Sequence, residues 1–238
     1  MSARGGVSPT PPQWLEPLLT NLRTVEAVDF TRIPTPEDGG RPAAVLILLA
    51  DEHEPGAGPD VLIMQRAATL RTHAGQPAFP GGAVEPQDTG ASATALREAQ
   101  EEVGLDPASV TVLAELPTLW IPVTDFLVTP VLAWWHAPHP VGAHQPEEVA
   151  HVARLPLAEL ADPQHRVRVR HRSGWIGPAF HARGMLVWGF TAGVLSTLLD
   201  LGGWSRPWDT SRVESLPEVV APPHVTPVSG NPDSPSVG

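Results

Sequence analysis

Cysteine is entirely absent from the 238-residue chain, so disulfide bonds and thiolate chemistry are excluded. Any bound metal ion must therefore rely on oxygen or imidazole ligands. The formal net charge is −11, which argues against general nucleic-acid binding, because phosphate backbones require clustered cationic side chains. A small polyanionic substrate remains compatible with this charge if a local basic patch or a bridging cation meets it.

Long apolar segments are missing as well. No run is long enough to cross a bilayer, and the first 13 residues lack the apolar core of a signal peptide. Together with the lack of cysteine, this pattern favours a cytoplasmic protein without a membrane partner. Zinc is disfavoured because no H-x-x-x-H pair lies on a convincing helix, and the D-x-D-x-D-G loop of a plain calcium-binding protein is absent.

Proline-rich ends divide the chain into three parts. Residues 1–13 are expected to be disordered, residues 14–204 to form one domain, and residues 205–238 to form a Pro-rich tail. Helices are predicted at 14–25, 91–103 and 184–201, with a short one from Leu155. Strands are predicted at 43–49 and 61–64, which should pair antiparallel, and at 110–114, 127–135, 149–154 and 165–172. This order predicts an α+β fold in which a mixed β-sheet lies between α-helices, an α/β/α arrangement.

The predicted helix at 91–103 carries the most informative side chains. Glu98, Glu101 and Glu102 are related by i+3 and i+4 spacings, so their carboxylates share one helix face. Three such carboxylates repel one another unless a positive group offsets their charge, and a hard divalent cation with oxygen ligands does so. A solvent-exposed charged face is the alternative interpretation of the bare E-x-x-E-E pattern.

The surroundings of this helix favour the metal site. The double glycine at 81–82 precedes it and allows a loop and a helix to enclose one site. Gly104 follows the helix where a C-terminal cap belongs. Arg97 lies one turn before Glu101 and is placed to orient it.

The same segment resembles the Nudix signature G-x5-E-x7-R-E-U-x-E-E-x-G-U, in which U is a bulky aliphatic residue. The second half of the signature matches at Arg97, Glu98, Glu101, Glu102, Gly104 and Leu105. Two residues depart from it, since Ala99 occupies the aliphatic position and Asp88 replaces the first glutamate. One extra residue also separates Asp88 from Arg97.

A second motif lies directly upstream, over residues 62–82. It is similar to L-L-T-x-R-[SA]-x3-R-x3-G-x3-F-P-G-G, the pattern of the coenzyme A diphosphatase branch of Nudix enzymes. The matching residues are Arg66, Ala67, Arg71, Gly75, Phe79, Pro80, Gly81 and Gly82. Met64 stands where the pattern has threonine. The longer box with Asp88 also fits this branch.

The resemblance implies a Nudix fold and hydrolysis of the pyrophosphate bond of coenzyme A to 3′,5′-ADP and 4′-phosphopantetheine. It implies Mg²⁺ or Mn²⁺ as the cofactor, with Glu98, Glu101 and Glu102 as ligands. Arg97 is also predicted to be a catalytic residue, because it is placed to orient Glu101. Four candidates remain for the base that deprotonates the attacking water: Glu101, Glu102, Glu147 and Glu148.

Residues expected to bind the small-molecule substrate surround the glycine loop. Guanidinium forks suit phosphate groups, and glycines let backbone N–H groups approach phosphate oxygens closely. The predicted set is Arg66, Arg71, His73, Gly75, Phe79, Gly81 and Gly82. For His73, ordering of the loop is an equal alternative. The sequence leaves the oligomeric state open.

Two further patterns are interpreted as structural. The alternating arginines Arg166, Arg168, Arg170 and Arg172 are typical of the solvated face of an edge strand. The tryptophans Trp120, Trp134, Trp135 and Trp188 are expected in the core rather than against adenine. The competing functions are a Nudix diphosphatase acting on ADP-ribose, NADH or a damaged nucleoside triphosphate, and a Nudix protein that binds a nucleotide without cleaving it. The second is disfavoured because all three glutamates of the box are present.

Overall fold

The computed structural model of the protein describes residues 9–51, 53–70 and 72–216. The helices are α1 (Glu16–Asn21), α2 (Ala27–Phe30), α3 (Ala91–Val103), α4 (Leu157–Ala161) and α5 (Gly189–Leu201), with 3-10 turns at Gln13–Leu15, Leu22–Thr24 and Pro107–Ser109. The strands are β1 (Arg41–Ala50), β2 (Asp60–Arg66), β3 (Pro77–Ala78), β4 (Gly81–Ala83), β5 (Val110–Glu115), β6 (Leu119–Ile121), β7 (Phe126–Trp135), β8 (Val149–Pro156), β9 (Arg166–Arg170), β10 (Ile176–Ala182), β11 (Met185–Val187) and β12 (Val213–Ser215).

An eight-stranded mixed sheet forms the centre of the fold. Strand β1 runs parallel to β7 and antiparallel to β2, as the two neighbouring apolar runs predict. On the side of β1 opposite β7, β4 pairs with residues 43–45 and β2 pairs with residues 49–50. The sheet therefore splits between these two ladders, and the segment that links β2 to β4 carries the glycine-rich motif.

Apolar side chains fill both faces of this sheet. On one face, Ala95, Ala99 and Val103 of α3 are fully buried against β1 and β7, as their spacing predicts. On the other face, a second sheet of four strands (β9 to β12) packs with α1 and α5 around a larger core. The mixed sheet thus lies between helices, and in the described part of the chain no helix has the length and apolarity needed to cross a membrane.

The last long helix begins later than its sequence predicts. Residues 185–187 form β11, which pairs antiparallel with β10, and α5 starts only at Gly189. Arg183 and Gly184 both have positive φ angles, of 48° and 76°, which suit a two-residue hairpin turn. Trp188 consequently precedes the helix, where it packs beside the β9–β10 pair.

The prediction that β9 is an edge strand was wrong, and β7 is an inner strand as well. Strand β7, which contains Pro130, pairs with β1 on one side and with β5 and β6 on the other. Pro130 lies where the neighbouring chain passes from β5 to β6, a position that tolerates a residue without an N–H group. Strand β9 pairs with β10 and β12, so its arginines do not follow a sheet edge.

The ordered fold also extends beyond residue 204. Strand β12 pairs parallel with β9 inside the segment that the proline content assigns to a tail. At the other end, Gln13 belongs to the first 3-10 turn, although it falls in the segment expected to be disordered. Residues 1–8 and 217–238 of the two terminal segments lie outside the described residues.

Arg166 explains why the chain after α5 packs against the domain. Its side chain is 2% exposed, donates to the hydroxyls of Ser205 (2.9 Å) and Ser196 (2.8 Å), and lies over the rings of Trp208 and Phe180. Burial lowers the pKa of this guanidinium. Arg166 is therefore not part of a solvated face.

The variant Arg166→Ala is expected to lose roughly 2–4 kcal/mol of unfolding free energy, because it leaves a cavity and two unpaired hydroxyls. Urea denaturation followed by tryptophan fluorescence measures the loss. Arg170→Ala, an exposed position on the same strand, serves as the matched control and should change stability by less than about 0.5 kcal/mol. Equal losses in both variants would contradict the role given to Arg166.

Candidate active site

Helix α3 is held at both ends by distant residues. At its start, the backbone N–H and the hydroxyl of Ser92 both donate to the Glu115 carboxylate. At its end, the backbone N–H groups of Gly142 and His144 donate to the carbonyls of Val103 (3.1 Å) and Glu102 (2.9 Å). These contacts fix the helix that carries the acidic side chains.

Gly104 is required at the end of α3 for two reasons. Its φ angle of 71° is left-handed, which disfavours residues with a side chain. A Cβ atom at this position would also collide with the imidazole of His144. The glycine therefore lets the loop that contains Glu147 and Glu148 cross the helix end.

Glu102 is the buried centre of the acidic cluster. Its side chain is 1% exposed, and the backbone N–H of Gly81 donates to its Oε2 at 2.9 Å. Burial raises the pKa of Glu102 to about 8, and the charges of Glu98 and Glu148 act in the same direction. The Gly81 hydrogen bond and the charge of Arg66 oppose the rise. Four other predicted site residues thus influence the pKa of Glu102: Arg66, Gly81, Glu98 and Glu148.

Glu98 lies against the glycine loop from the opposite side. Its carboxylate contacts the position where a Cβ of Gly82 would be, so only glycine leaves room for it. Burial raises the pKa of Glu98, although the neighbouring Arg97, with Nη1 at 3.1 Å from Oε1, opposes this. Gly81 is equally constrained, because a Cβ there would meet the backbone of β1.

Arg97 ties the helix to the loop that precedes it. Its Nε and Nη2 donate to the two oxygens of Asp88 at 3.0 Å each, and Nη2 also donates to the carbonyl of Ala83. Nη1 reaches Glu101 at 3.3 Å, which is the contact predicted from their spacing. Arg97 holds the pKa of the Asp88 carboxyl well below its usual range.

The role of Asp88, which departs from the Nudix signature, follows from this geometry. Asp88 closes a turn in which its own N–H donates to the Glu85 carbonyl, and the N–H of Glu85 donates back to the Asp88 carboxylate. Asp88 also accepts a bond from the Thr94 hydroxyl. It positions Arg97 through two hydrogen bonds.

Arg66 ends β2 beside this cluster. Its guanidinium Nε is buried and has no hydrogen-bond partner within the described part of the chain. The next residue, Ala67, donates its N–H to the carbonyl of Glu148 at 2.7 Å, so the loop with Glu147 and Glu148 is attached next to Arg66. Both glutamates are exposed. The fold therefore brings Arg66 and Glu148 to Glu102, although 36 or more residues separate them from it in sequence.

The remaining predicted substrate contacts serve mainly to order the loop. The His73 imidazole lies 3.0 Å from Gln76 Oε1, and the Gly75 carbonyl accepts a bond from the buried Gln65. Phe79 is 2% exposed and belongs to the core, where its ring anchors the loop. Its contact with substrate stays a prediction. Arg71 lies outside the described residues.

A divalent cation fits this donor set. Burial and mutual repulsion disfavour the charged forms of Glu98 and Glu102, and a cation between them would offset both effects. Throughout the described ranges, no three acidic or histidine side chains form a ready-made metal site. Glu101 instead faces Arg97, with 46% of its side chain exposed.

Comparison with known proteins decides the family. The model of the NUDIX domain matches residues 40–174. The chain belongs to the Nudix family. The resemblance seen in the acidic box is thereby confirmed, as is the fold class. As a Nudix hydrolase it is a member of a family that generally uses divalent metal ions such as Mg²⁺.

Relatives of this Nudix protein occur in enterobacteria. The uncharacterized Nudix hydrolase NudL of Cronobacter sakazakii is 44% identical over 165 residues, which cover 66% of this chain and 81% of the relative. NudL of Citrobacter koseri is 42% identical with the same coverage. Among solved structures, the Nudix hydrolase RenU of M. smegmatis is 24% identical, covers 70% of this chain and 88% of its own, and superposes with a TM-score of 0.47.

The Gly82→Ala variant of this Nudix hydrolase tests the placement of Glu98. The new methyl group meets the end of a flexible side chain, so the protein should fold while Glu98 is displaced and activity falls about 10–100-fold at low Mg²⁺. Titration of activity against Mg²⁺ measures the effect. Gly193→Ala, in α5 with open space around it, is the matched control. An unchanged Mg²⁺ dependence in Gly82→Ala would show that Glu98 is not a ligand.

Proposed function

We propose that this Nudix hydrolase cleaves the pyrophosphate bond of coenzyme A, giving 3′,5′-ADP and 4′-phosphopantetheine, in the cytoplasm and with Mg²⁺ or Mn²⁺. The observation that carries the proposal is the position of Arg66. Its buried Nε has no hydrogen-bond partner among the described residues and its charge acts on Glu102, which suits a guanidinium that binds a phosphate oxygen. Arg66 belongs to the motif that resembles the coenzyme A branch.

Glu98 and Glu102 would hold the ion, and Glu101 would join them by turning away from Arg97. The bound ion would neutralise charge on the pyrophosphate and lower the pKa of a water molecule. Arg66 would bind the phosphate oxygens that the ion does not contact. The N–H of Gly81 already orients Glu102 by donating a hydrogen bond to its carboxylate.

Glu148 is the base that this arrangement favours. Its charge contributes to the raised pKa of Glu102. The carbonyl of Glu148 is also fixed by Ala67. Being exposed, its carboxylate can accept a proton from a water molecule near the cluster and release it to solvent.

The pair Glu148→Gln and Glu147→Gln separates these two candidates. We expect Glu148→Gln to lower kcat by about 10²–10⁴-fold, the range for loss of a general base, and Glu147→Gln to lower it much less. Steady-state kinetics at saturating Mg²⁺ gives both values. A stronger effect of Glu147→Gln would transfer the role to that residue.

A substrate panel tests the proposed function directly. The protein is incubated with coenzyme A, its thioesters, NADH, ADP-ribose and 8-oxo-dGTP, each with Mg²⁺ or Mn²⁺, and products are separated by chromatography. Coenzyme A or a derivative of it should be cleaved with the highest kcat/KM. Rapid cleavage of another compound with none of coenzyme A would overturn the substrate, and binding without any cleavage would indicate a nucleotide-sensing protein.

A further inference from the structure

Gln65 is a buried amide near the end of β2, directly before Arg66. Its side chain is 1% exposed, and its Nε2 donates at 3.0 Å to the carbonyl of Gly75, which is itself buried. Its Oε1 is buried and has no hydrogen-bond partner within the described part of the chain. The unpaired oxygen offsets what the single bond contributes to stability. The amide is therefore explained better by the segment it holds than by the stability it adds.

Gln65 and Arg66 face opposite sides of the mixed sheet, because side chains alternate along a strand. The register shift at this point places the extra residue, Ala150, in β8, so the alternation of β2 is kept. Gln65 lies on the side of Ile63 and the larger core, whereas Arg66 acts on Glu102 on the side of α3. Gln65 can therefore influence the acidic cluster only through the backbone that it holds.

Three donors hold consecutive carbonyls of the segment after the turn. The carbonyls of residues 75–77 accept, in this order, the amide of Gln65, the backbone N–H of Arg66 at 3.0 Å and the hydroxyl of Thr191 at 3.2 Å. Thr191 is buried in the first turn of α5. The segment is thus attached to β2 and to α5, and Gln65 makes the first of these attachments.

The turn over residues 73–76 depends on this anchoring. His73 and Gly75 have φ angles of 55° and 69°, and a left-handed conformation is uncommon for a residue other than glycine. Within the turn, the N–H of Gln76 donates to the His73 carbonyl at 3.1 Å, and Gln76 Oε1 lies 3.0 Å from the His73 imidazole. Strained backbone persists only where its surroundings hold it. Loss of the Gln65 bond should therefore release the turn.

We propose that Gln65 is a positioning residue for substrate binding: its amide fixes the turn over residues 73–76 next to Arg66. The inference rests on the proposed function, which assigns His73 and Gly75 of this turn, together with Arg66, to the phosphate groups of the substrate. It concerns the pyrophosphate part of the substrate and does not depend on which diphosphate derivative is cleaved.

The variant Gln65→Leu tests the inference in the full-length protein. It should fold, because it exchanges one unpaired buried oxygen, Oε1, for another, the Gly75 carbonyl. KM should rise about ten-fold while kcat changes by less than about three-fold, the pattern for an interaction made equally in the ground state and the transition state. Gln65→Met, which also lacks the donor and has an unbranched side chain of similar length, should give the same result.

Amide hydrogen exchange measured by NMR gives a second readout without substrate. The amide of Gln76 should exchange at least about ten-fold faster in Gln65→Leu, because its turn is no longer tied to β2. Ser109→Ala is the matched control. The Ser109 side chain is 5% exposed and accepts a bond from the indole of Trp135 at 3.0 Å, away from the turn. This variant should keep the wild-type KM and the wild-type exchange of Gln76.

Faster exchange of Gln76 with an unchanged KM would overturn the inference and show that Gln65 only stabilises the turn. A folded Gln65→Leu protein with wild-type exchange would overturn it as well. The kinetics use whichever compound of the substrate panel is cleaved, so failure of coenzyme A as a substrate refutes the proposed function and leaves the test of Gln65 intact. If no compound is cleaved, the affinity for inorganic pyrophosphate, measured by calorimetry, replaces KM, and equal affinities in wild type and Gln65→Leu refute the role of Gln65.

Discussion

Glu102→Gln is expected to lower pyrophosphate hydrolysis by at least about 10²-fold and, at the same time, to stabilise the metal-free protein at alkaline pH. The first effect follows from the loss of a charged side chain that is proposed to bind the metal ion. The second follows from burial, because the side chain is 1% exposed and its pKa is raised to about 8. A buried carboxyl is tolerated when it is protonated and costs free energy when it ionises.

The pH dependence has a defined sign. Since the folded protein binds the proton of Glu102 more tightly than the unfolded chain, the stability that this proton contributes is fully present below the ordinary value of 4.5 and is lost as the pH rises towards 8. Above that pH, wild-type protein in EDTA should be less stable than Glu102→Gln by roughly 2–4 kcal/mol. The amide oxygen of the glutamine can still accept the N–H of Gly81.

Urea denaturation in EDTA at pH 5, 7 and 9 measures the effect. Glu101→Gln is the matched control, because Glu101 is a neighbouring residue of the same helix with 46% of its side chain exposed. It should reduce activity without the stabilisation at pH 9. A Glu102→Gln protein that is folded and still active would refute the metal assignment, and one with no gain in stability at pH 9 would refute the burial argument.

Arg97→Gln should reduce kcat by roughly 10²-fold, because one guanidinium organises both the loop and the helix face. It binds both oxygens of Asp88, the carbonyl of Ala83 and the carboxylates of Glu98 and Glu101. Without it, neighbouring negative charges repel one another and the loop is released from the helix. The melting temperature should fall as well.

Kinetics across a range of Mg²⁺ concentrations tests this expectation. Arg97→Lys should recover little of the activity, since an ammonium cannot make the paired bonds to Asp88. Asp88→Asn should have a smaller effect than Arg97→Gln, because the guanidinium and its other partners remain. Near-normal kcat in Arg97→Gln at every Mg²⁺ concentration would mean that these contacts are only surface ion pairs of small value.

Local patterns of the sequence were sufficient for the elements that depend on neighbours along the chain. The helix over 91–103, its apolar face and the Gly104 cap were predicted correctly, because helical periodicity and a left-handed glycine are set within a few residues. The acidic box and the family followed from the same segment.

The start of α5 and the position of β9 were not predictable in this way. A hairpin turn at Arg183 and Gly184 converts an apolar run into a strand before the helix begins. Strand β9 becomes an inner strand only because β12, more than 40 residues later, pairs with it. Such pairing joins residues that are far apart in the sequence, so patterns among neighbouring residues do not predict it.

The composition of the chain by itself excluded cysteine chemistry and argued against a general nucleic-acid surface, and the spacing of three glutamates determined an acidic helix face. Only the tertiary structure decided how these glutamates differ. Glu101 and Glu102 are adjacent, yet one is exposed beside Arg97 and the other is buried under Gly81. The physical reason is that the pKa of Glu102 depends on burial and on groups from distant segments: Gly81 supplies a hydrogen bond, and Arg66 and Glu148 supply charges.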